Sequence, residues 1–134
     1  MPMLFDASAI TNLIISGGRR ALKKTAGHFT LDLTGYEIGN AVWRLCSLER
    51  KLNHAEASEL VESAVDLLGQ LHQVRLEELD ARRILDIGIS NRISFYDASY
   101  VVAADAKRFT IVTDDGQLAK IAKEYVQTKR STEI

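Results

Sequence analysis

Short apolar runs that end in an acid and hand over to a helical pattern leave this 134-residue chain few ways to fold. Met3-Leu4-Phe5 stops at Asp6, and Ala9, Ile10, Leu13 and Ile14 then recur at helical steps until Gly17-Gly18. His28 to Leu33 alternates Phe29, Leu31 and Leu33 with polar neighbours, the pattern of a strand. Thr34 and Glu37 follow at capping-box spacing, ahead of a helix carrying Ile38, Val42, Leu45 and Leu48. Phe109 to Val112 reads as a further strand, closing at Thr113-Asp114-Asp115-Gly116. A last helix is expected from Gln117 to Tyr125, with an edge strand over Val126 to Lys129.

The stretches between fill in the same alternation. Arg19 to Thr25 is a short basic helix or loop. Asn53 and Glu56 form a second capping-box pattern, opening a helix to about Leu71 with Ala57, Leu60, Val61, Ala64, Leu68 and Leu71 as its apolar stripe. Gln73 to Leu76 is a short strand, and Asp80 to Ile89 a helix with Ile84, Leu85 and Ile89 turned inward. Ser94 and Asp97 make a third capping pattern. The helix behind it, through Ala106, is apolar around most of its surface and is expected to be buried. The polar end, Thr128 to Ile134, is expected to fray. Strands alternating with helices imply a parallel sheet with helices on both faces, in one domain spanning residues 1–134.

Composition narrows the class. Hydrophobic residues make up 46% and charged residues 26%, so the chain can bury a core and disorder is excluded for most of it. The single cysteine, Cys46, excludes an internal disulfide and a Cys-based zinc site. His28, His54 and His72 lack ligand spacing. Met1-Pro2-Met3-Leu4-Phe5-Asp6 has no basic leader and no apolar run approaches a membrane span, so a cytoplasmic protein is expected. The net charge of -1 conceals a division: residues 54–80 hold seven acids and one base, leaving +5 on the remainder. A basic run, Arg19, Arg20, Lys23 and Lys24, lies in that remainder, either as a contact for phosphates or as a solvated surface.

Three acids, Asp6, Glu37 and Asp115, stand where a strand gives way to a helix; Asp97 stands in the first turn of another. Each has an ordinary explanation, because acids cap helix N-termini and meet the positive end of the helix dipole. In a parallel sheet, however, these helix starts share one edge, which is where open α/β sheets carry their sites. Four carboxylates gathered there repel one another unless a cation offsets them. Hard oxygen donors without nearby histidine suit Mg²⁺ or Mn²⁺, ions that serve phosphoryl chemistry.

Four segments in this order resemble the PIN-domain family, of the kind found as VapC toxins in toxin–antitoxin pairs. They are Leu4-Phe5-Asp6-Ala7-Ser8-Ala9; Glu37 and Asn40 within residues 36–44; Phe95-Tyr96-Asp97-Ala98-Ser99 running on to Ala104; and Ile111-Val112-Thr113-Asp114-Asp115, where the family has Thr-x-Asp. The resemblance covers nearly the whole chain. It implies a three-layer α/β/α fold with a short parallel sheet. It also implies a metal site of Asp6, Glu37, Asp97 and Asp115 binding Mg²⁺ or Mn²⁺. Ser8 and Thr113 would support that site, with Asn12 and Asn40 as weaker candidates and Asp114 peripheral. The implied activity is an endoribonuclease that hydrolyses RNA phosphodiester bonds by metal-activated water. The implied partners are an RNA substrate, a small VapB-like antitoxin and a second copy of the chain. Two alternatives stay open: a PIN nuclease of RNA processing without an antitoxin, and a non-catalytic receiver-like signalling module. The latter fits less well, because Asp6 stands alone after the first strand and the late strand ends in Thr113-Asp114-Asp115 with no lysine at that end.

Overall fold

A computed structural model describes all residues from Met1 to Ile134. Five parallel strands, β1 (Met3–Phe5), β2 (Phe29–Leu31), β3 (His72–Val74), β4 (Thr110–Val112) and β5 (Thr128–Lys129), form one sheet in the order β3-β2-β1-β4-β5. Seven helices connect and cover it: α1 (Ala7–Gly17), α2 (Arg19–Thr25), α3 (Thr34–Ser47), α4 (His54–Leu68), α5 (Ala81–Asn91), α6 (Phe95–Lys107) and α7 (Gly116–Ala122). The result is the expected three-layer α/β/α arrangement.

Alternation along the strands divides the core in two, since successive strand side chains point to opposite faces. Leu4, Leu31, Val74 and Ile111 face α5, α6 and α7, where they meet Ile84, Val101 and Leu118. Phe5 and Val112, one residue further on, face the other way and meet Ile10, Leu13, Ile38, Val42 and Leu67 from α1, α3 and α4. The register fixes this division: Leu4 pairs with Ile111 and Phe5 with Val112. The apolar helix α6 is buried as its composition predicts, every residue from Ala98 to Ala104 being shielded from water.

The chain crosses from β1 to β2 and β3 on one side, then returns to lay β4 and β5 on the other. The order therefore reverses at β1 and β4. Crevices outside the carboxyl ends of such a pair are where α/β sheets bind ligands. Asp6 follows β1, and Thr113-Asp114-Asp115 follows β4.

Several boundaries and faces differ from the sequence expectation. In α5 the inward residues are Ile84, Ile87 and Gly88, whereas Leu85 and Ile89 are 51% and 68% exposed. Steps of three and four from Ile84 lead to Ile87 and Gly88, so Leu85 and Ile89 fall on the outer flank. Gly88 sets that face: a Cβ there would lie 3.2 Å from the Ile93 carbonyl and 3.8 Å from Ala98 Cβ, so the turn into α6 passes close against it. Helix α4 ends at Leu68, with Leu67 buried in its stripe and Leu71 buried beyond it. Leu48 lies past the end of α3 and is exposed. Helix α7 ends at Ala122, three residues early. The C-terminal stretch does not fray: Thr113 N–H donates to the Lys129 carbonyl at 2.9 Å, and Ser131 is buried. No helix is long and apolar enough to cross a membrane.

Candidate active site

The C-terminal edge of the sheet opens into a cavity of about 560 Å³ lined by Asp6, Glu37, Asp97, Asp114 and Asp115, with Ser8, Asn12, Tyr100 and Arg44 around them. The structure thus brings together all four acids singled out from the sequence.

Asp6 is both a cap and a member of this cleft. It is the N-cap of α1, its Oδ1 accepting from the Ala9 N–H at 2.9 Å and the Ser8 hydroxyl at 2.7 Å, while the Thr113 hydroxyl donates to Oδ2. The two hydroxyls are held from behind. Asp114 N–H donates to Ser8 Oγ at 3.0 Å and Asp115 N–H to Thr113 Oγ1 at 3.1 Å. Each hydroxyl accepts a backbone N–H and turns its own hydrogen toward Asp6, so the loop after β4 orients the carboxylate after β1. Burial outweighs these donors, and with Asp115 nearby it pushes the Asp6 carboxyl up to about 6.

Glu37 departs from the capping-box expectation. Thr34 is not the N-cap of α3; Leu33 occupies that position without a side-chain cap bond, and Thr34 is buried inside the first turn. Its hydroxyl joins a polar thread, with Thr30 Oγ1 at 2.8 Å and Tyr100 Oη at 2.6 Å. Tyr100 Oη in turn donates to Glu37 Oε1 at 2.6 Å. Glu37 is therefore turned into the cleft by a tyrosine on α6 instead of folding back on the helix start. Burial, then repulsion from Asp97 and Asp6, raises its carboxyl above the usual range against the lowering effect of Tyr100.

Asp97 shows half of a capping box. The Ser94 hydroxyl accepts from Asp97 N–H at 3.0 Å, but the reciprocal bond is absent and the Asp97 carboxylate has no protein donor. It is half-buried, and burial with Asp115 nearby raises it. Asp115 caps α7 with one oxygen, Oδ1 accepting from Gln117 N–H at 2.9 Å and Leu118 N–H at 3.1 Å. Asp114 is occupied elsewhere: Asn12 and the Ser131 N–H and hydroxyl donate to it at 2.8, 2.9 and 2.6 Å. Those donors outweigh its burial and hold its carboxyl below the usual value. Asp114 lines the cleft with its two oxygens already accepting from Asn12 and Ser131.

None of the five carboxylates has a lysine, arginine or histidine partner within ion-pair distance; the four ion pairs of the molecule lie elsewhere. Asp97, one oxygen of Glu37 and one of Asp115 have no protein donor. Such a set fits a hard divalent cation by donor type and by unbalanced charge. The acids line one cleft without closing on one point, for no three such side chains stand at ready metal-site spacing.

Two sets of predicted residues lie outside the cleft. Asn40 is exposed on α3 and does not line it. Arg19, Arg20, Lys23 and Lys24 all belong to α2, and none of them lines it. The residue missed by the sequence reading is Tyr100. Its signal was a phenolic hydroxyl in the apolar run of α6, three residues beyond Asp97 and hence on the same side of the helix.

Comparison with known proteins places this geometry. No family model matches the chain. It is 33% identical over 99 residues to the exonuclease VapC9 of Pyrobaculum aerophilum, a match spanning 74% of this chain and 70% of that protein. It is 29% identical over 125 residues to the ribonuclease VapC3 of the same organism, covering 90% of this chain and 94% of the relative. The crystal structure of PAE2754 from Pyrobaculum aerophilum superimposes with a TM-score of 0.75 at 25% identity, over 96% of this chain and 89% of that one. With the sheet order and the acidic cleft, these similarities set aside the receiver-like alternative, and the chain belongs to the VapC family of PIN-domain proteins.

Proposed function

We propose that the chain is an endoribonuclease that requires Mg²⁺ or Mn²⁺ and acts as the toxin of a VapBC-type pair. The observation that carries this reading is the cleft itself: four carboxylates, three of them raised, with no cationic partner. The relatives named as a ribonuclease and an exonuclease supply the reaction class.

Asp6, Glu37, Asp97 and Asp115 would hold the ion. A bound divalent cation supplies the Lewis acidity that phosphodiester hydrolysis needs and activates the attacking water. The chain's own residues set the frame. Ser8 and Thr113 orient Asp6, and Tyr100 orients Glu37. Arg44, exposed on the cleft wall, is placed to meet a phosphate of the substrate. Family membership supports RNA as the substrate, a small VapB-like antitoxin as partner, a homodimer, and action in the cytoplasm.

Cleavage of total RNA in Mn²⁺ tests the reading. The wild type is expected to cut, and EDTA to abolish cutting. Asp97→Asn is expected to lower the rate by about a thousandfold or more while leaving the circular-dichroism melt cooperative. Undiminished cleavage by Asp97→Asn would overturn the site assignment. A circular RNA separates endonuclease from exonuclease action: an endonuclease opens it, and an exonuclease leaves it intact.

A further inference from the structure

A second cavity, about 310 Å³ in volume, lies beside the acidic cleft and shares Asp114 and Asp115 with it. Only one of its eleven lining residues is hydrophobic. Four cations converge on it: Lys120 and Lys123 from α7 and its C-cap, Lys129 from β5, and Arg130 just beyond. All four are exposed, and none belongs to any of the four ion pairs in the molecule.

The three acids of the same cavity accept hydrogen bonds from groups other than these cations' side chains, one oxygen of Asp115 remaining without a donor. Asp114 receives Asn12 and Ser131, Asp115 caps α7, and Glu133 accepts the Arg130 N–H at 2.9 Å. The acids offset part of this charge, Arg130 being near enough to Asp114 to help lower it, so four cations against three acids leave a surplus of one positive charge that an anion relieves. The volume is at the lower end for ligand cavities. Its position decides the ligand: a chain lying across the acidic cleft next meets this cavity, with Asp114 and Asp115 as the shared wall.

We propose that this cavity is a backbone-phosphate subsite, where Lys120, Lys123, Lys129 and Arg130 hold phosphates of single-stranded RNA adjacent to the bond under attack. The proposal rests on the ribonuclease reading for the identity of the polymer. It moves the electrostatic grip from the basic run of α2, which lies outside the cleft, to the C-terminal quarter of the chain. Clustered cations beside a carboxylate cleft also separate two tasks: one surface attracts the polyanion and the other receives the cation that acts on it.

The experiment compares two charge-removing pairs, Lys120→Gln with Lys123→Gln and Lys129→Gln with Arg130→Gln, in steady-state cleavage of a short single-stranded RNA in Mn²⁺ across a salt series. Each pair is expected to raise KM about tenfold, with kcat at saturation unchanged within about twofold. The slope of log KM against log salt is expected to fall by about 0.7 for each phosphate that the variant no longer neutralises. The charge-keeping pair Lys120→Arg with Lys123→Arg retains the wild-type KM, and the control Arg19→Gln with Lys23→Gln alters neither KM nor slope. Unchanged KM and slope in both charge-removing pairs, or an equal effect in the α2 control, overturns the subsite. A wild type that cuts no RNA defeats the ribonuclease reading instead. Anisotropy with the same labelled RNA then decides the subsite alone: about tenfold weaker binding by the charge-removing pairs sustains it, and equal binding removes it.

Discussion

Asp6 is buried to 5% exposure among three donors, and it still prefers its proton up to about pH 6. A carboxylic acid whose native pKa exceeds its unfolded value of 3.8 binds protons more tightly when folded. Its contribution is fully favourable below about pH 4 and is lost as pH rises through 6. The loss is about 3 kcal/mol for the shift from 3.8 to about 6. Metal-free protein is thus expected to show this component of destabilisation between pH 4 and 6, and Asp6→Asn to lack it. Thermal melts of both proteins in EDTA over pH 4 to 8 check the difference. Parallel slopes for the two proteins refute it. Mn²⁺ is expected to raise the melting temperature of the wild type most at pH 7 and least below pH 5, where protons compete for the same oxygens.

Helix α6 reaches α3 through one hydroxyl. The Tyr100 ring is buried in the core on the α6 side of the sheet, while its Oη joins Thr34 and Glu37 of α3. Tyr100→Phe keeps the ring and removes both bonds. It leaves the buried Thr34 hydroxyl with one partner fewer and Glu37 without its donor. The expected cost is about 1–2 kcal/mol in urea unfolding. Activity is expected to fall about ten- to a hundredfold, since Glu37 loses its orientation. The acidic limb of the pH–rate profile is expected to move upward, because the Tyr100 bond is what lowers Glu37. Wild-type kcat in Tyr100→Phe would refute the positioning role. The elements differ in how plainly the sequence announced them. The Asn53–Glu56 capping box of α4 is present with both reciprocal bonds, at 2.8 and 3.0 Å, because both residues are exposed and nothing else competes for them. The same pattern at Thr34–Glu37 fails. Thr34 is buried beside Thr30 and Tyr100, and those partners, 4 and 66 residues away in sequence, displace the local bond.

Over the whole molecule, the chain's end closes onto its middle. Ser131 gives Asp114 a backbone and a hydroxyl donor, Asp114 is bonded by Asn12 from α1, and Ile134 packs against the core beneath α1. Ser131→Ala removes a bond to a charged acceptor and is expected to cost about 1.5–3 kcal/mol, less where solvent reaches the pair. Asp114 has a depressed native pKa, so its stabilisation is present above the unfolded value and lost as pH falls through the native one. The Ser131→Ala penalty is therefore expected to be larger at pH 7 than at pH 3. Equal penalties by urea titration at the two pH values would refute the linkage. Polar composition alone suggested a frayed tail; the partners that order it lie 17 residues back along the chain and farther. Strand and helix alternation, the inward faces of most helices and the four acids at helix starts were legible in the residues, because periodicity and capping are properties of neighbours in sequence. Which strand pairs with which, and hence that Asp6 lies across from Asp115, depends on the reversal of strand order between β1 and β4. So do the Tyr100–Glu37 bond, the commitment of Asp114 to Ser131, and the meeting of Lys120 and Lys123 with Lys129 and Arg130. These interactions join residues whose separation in sequence carries no local signal, and only burial and sheet topology bring them within reach.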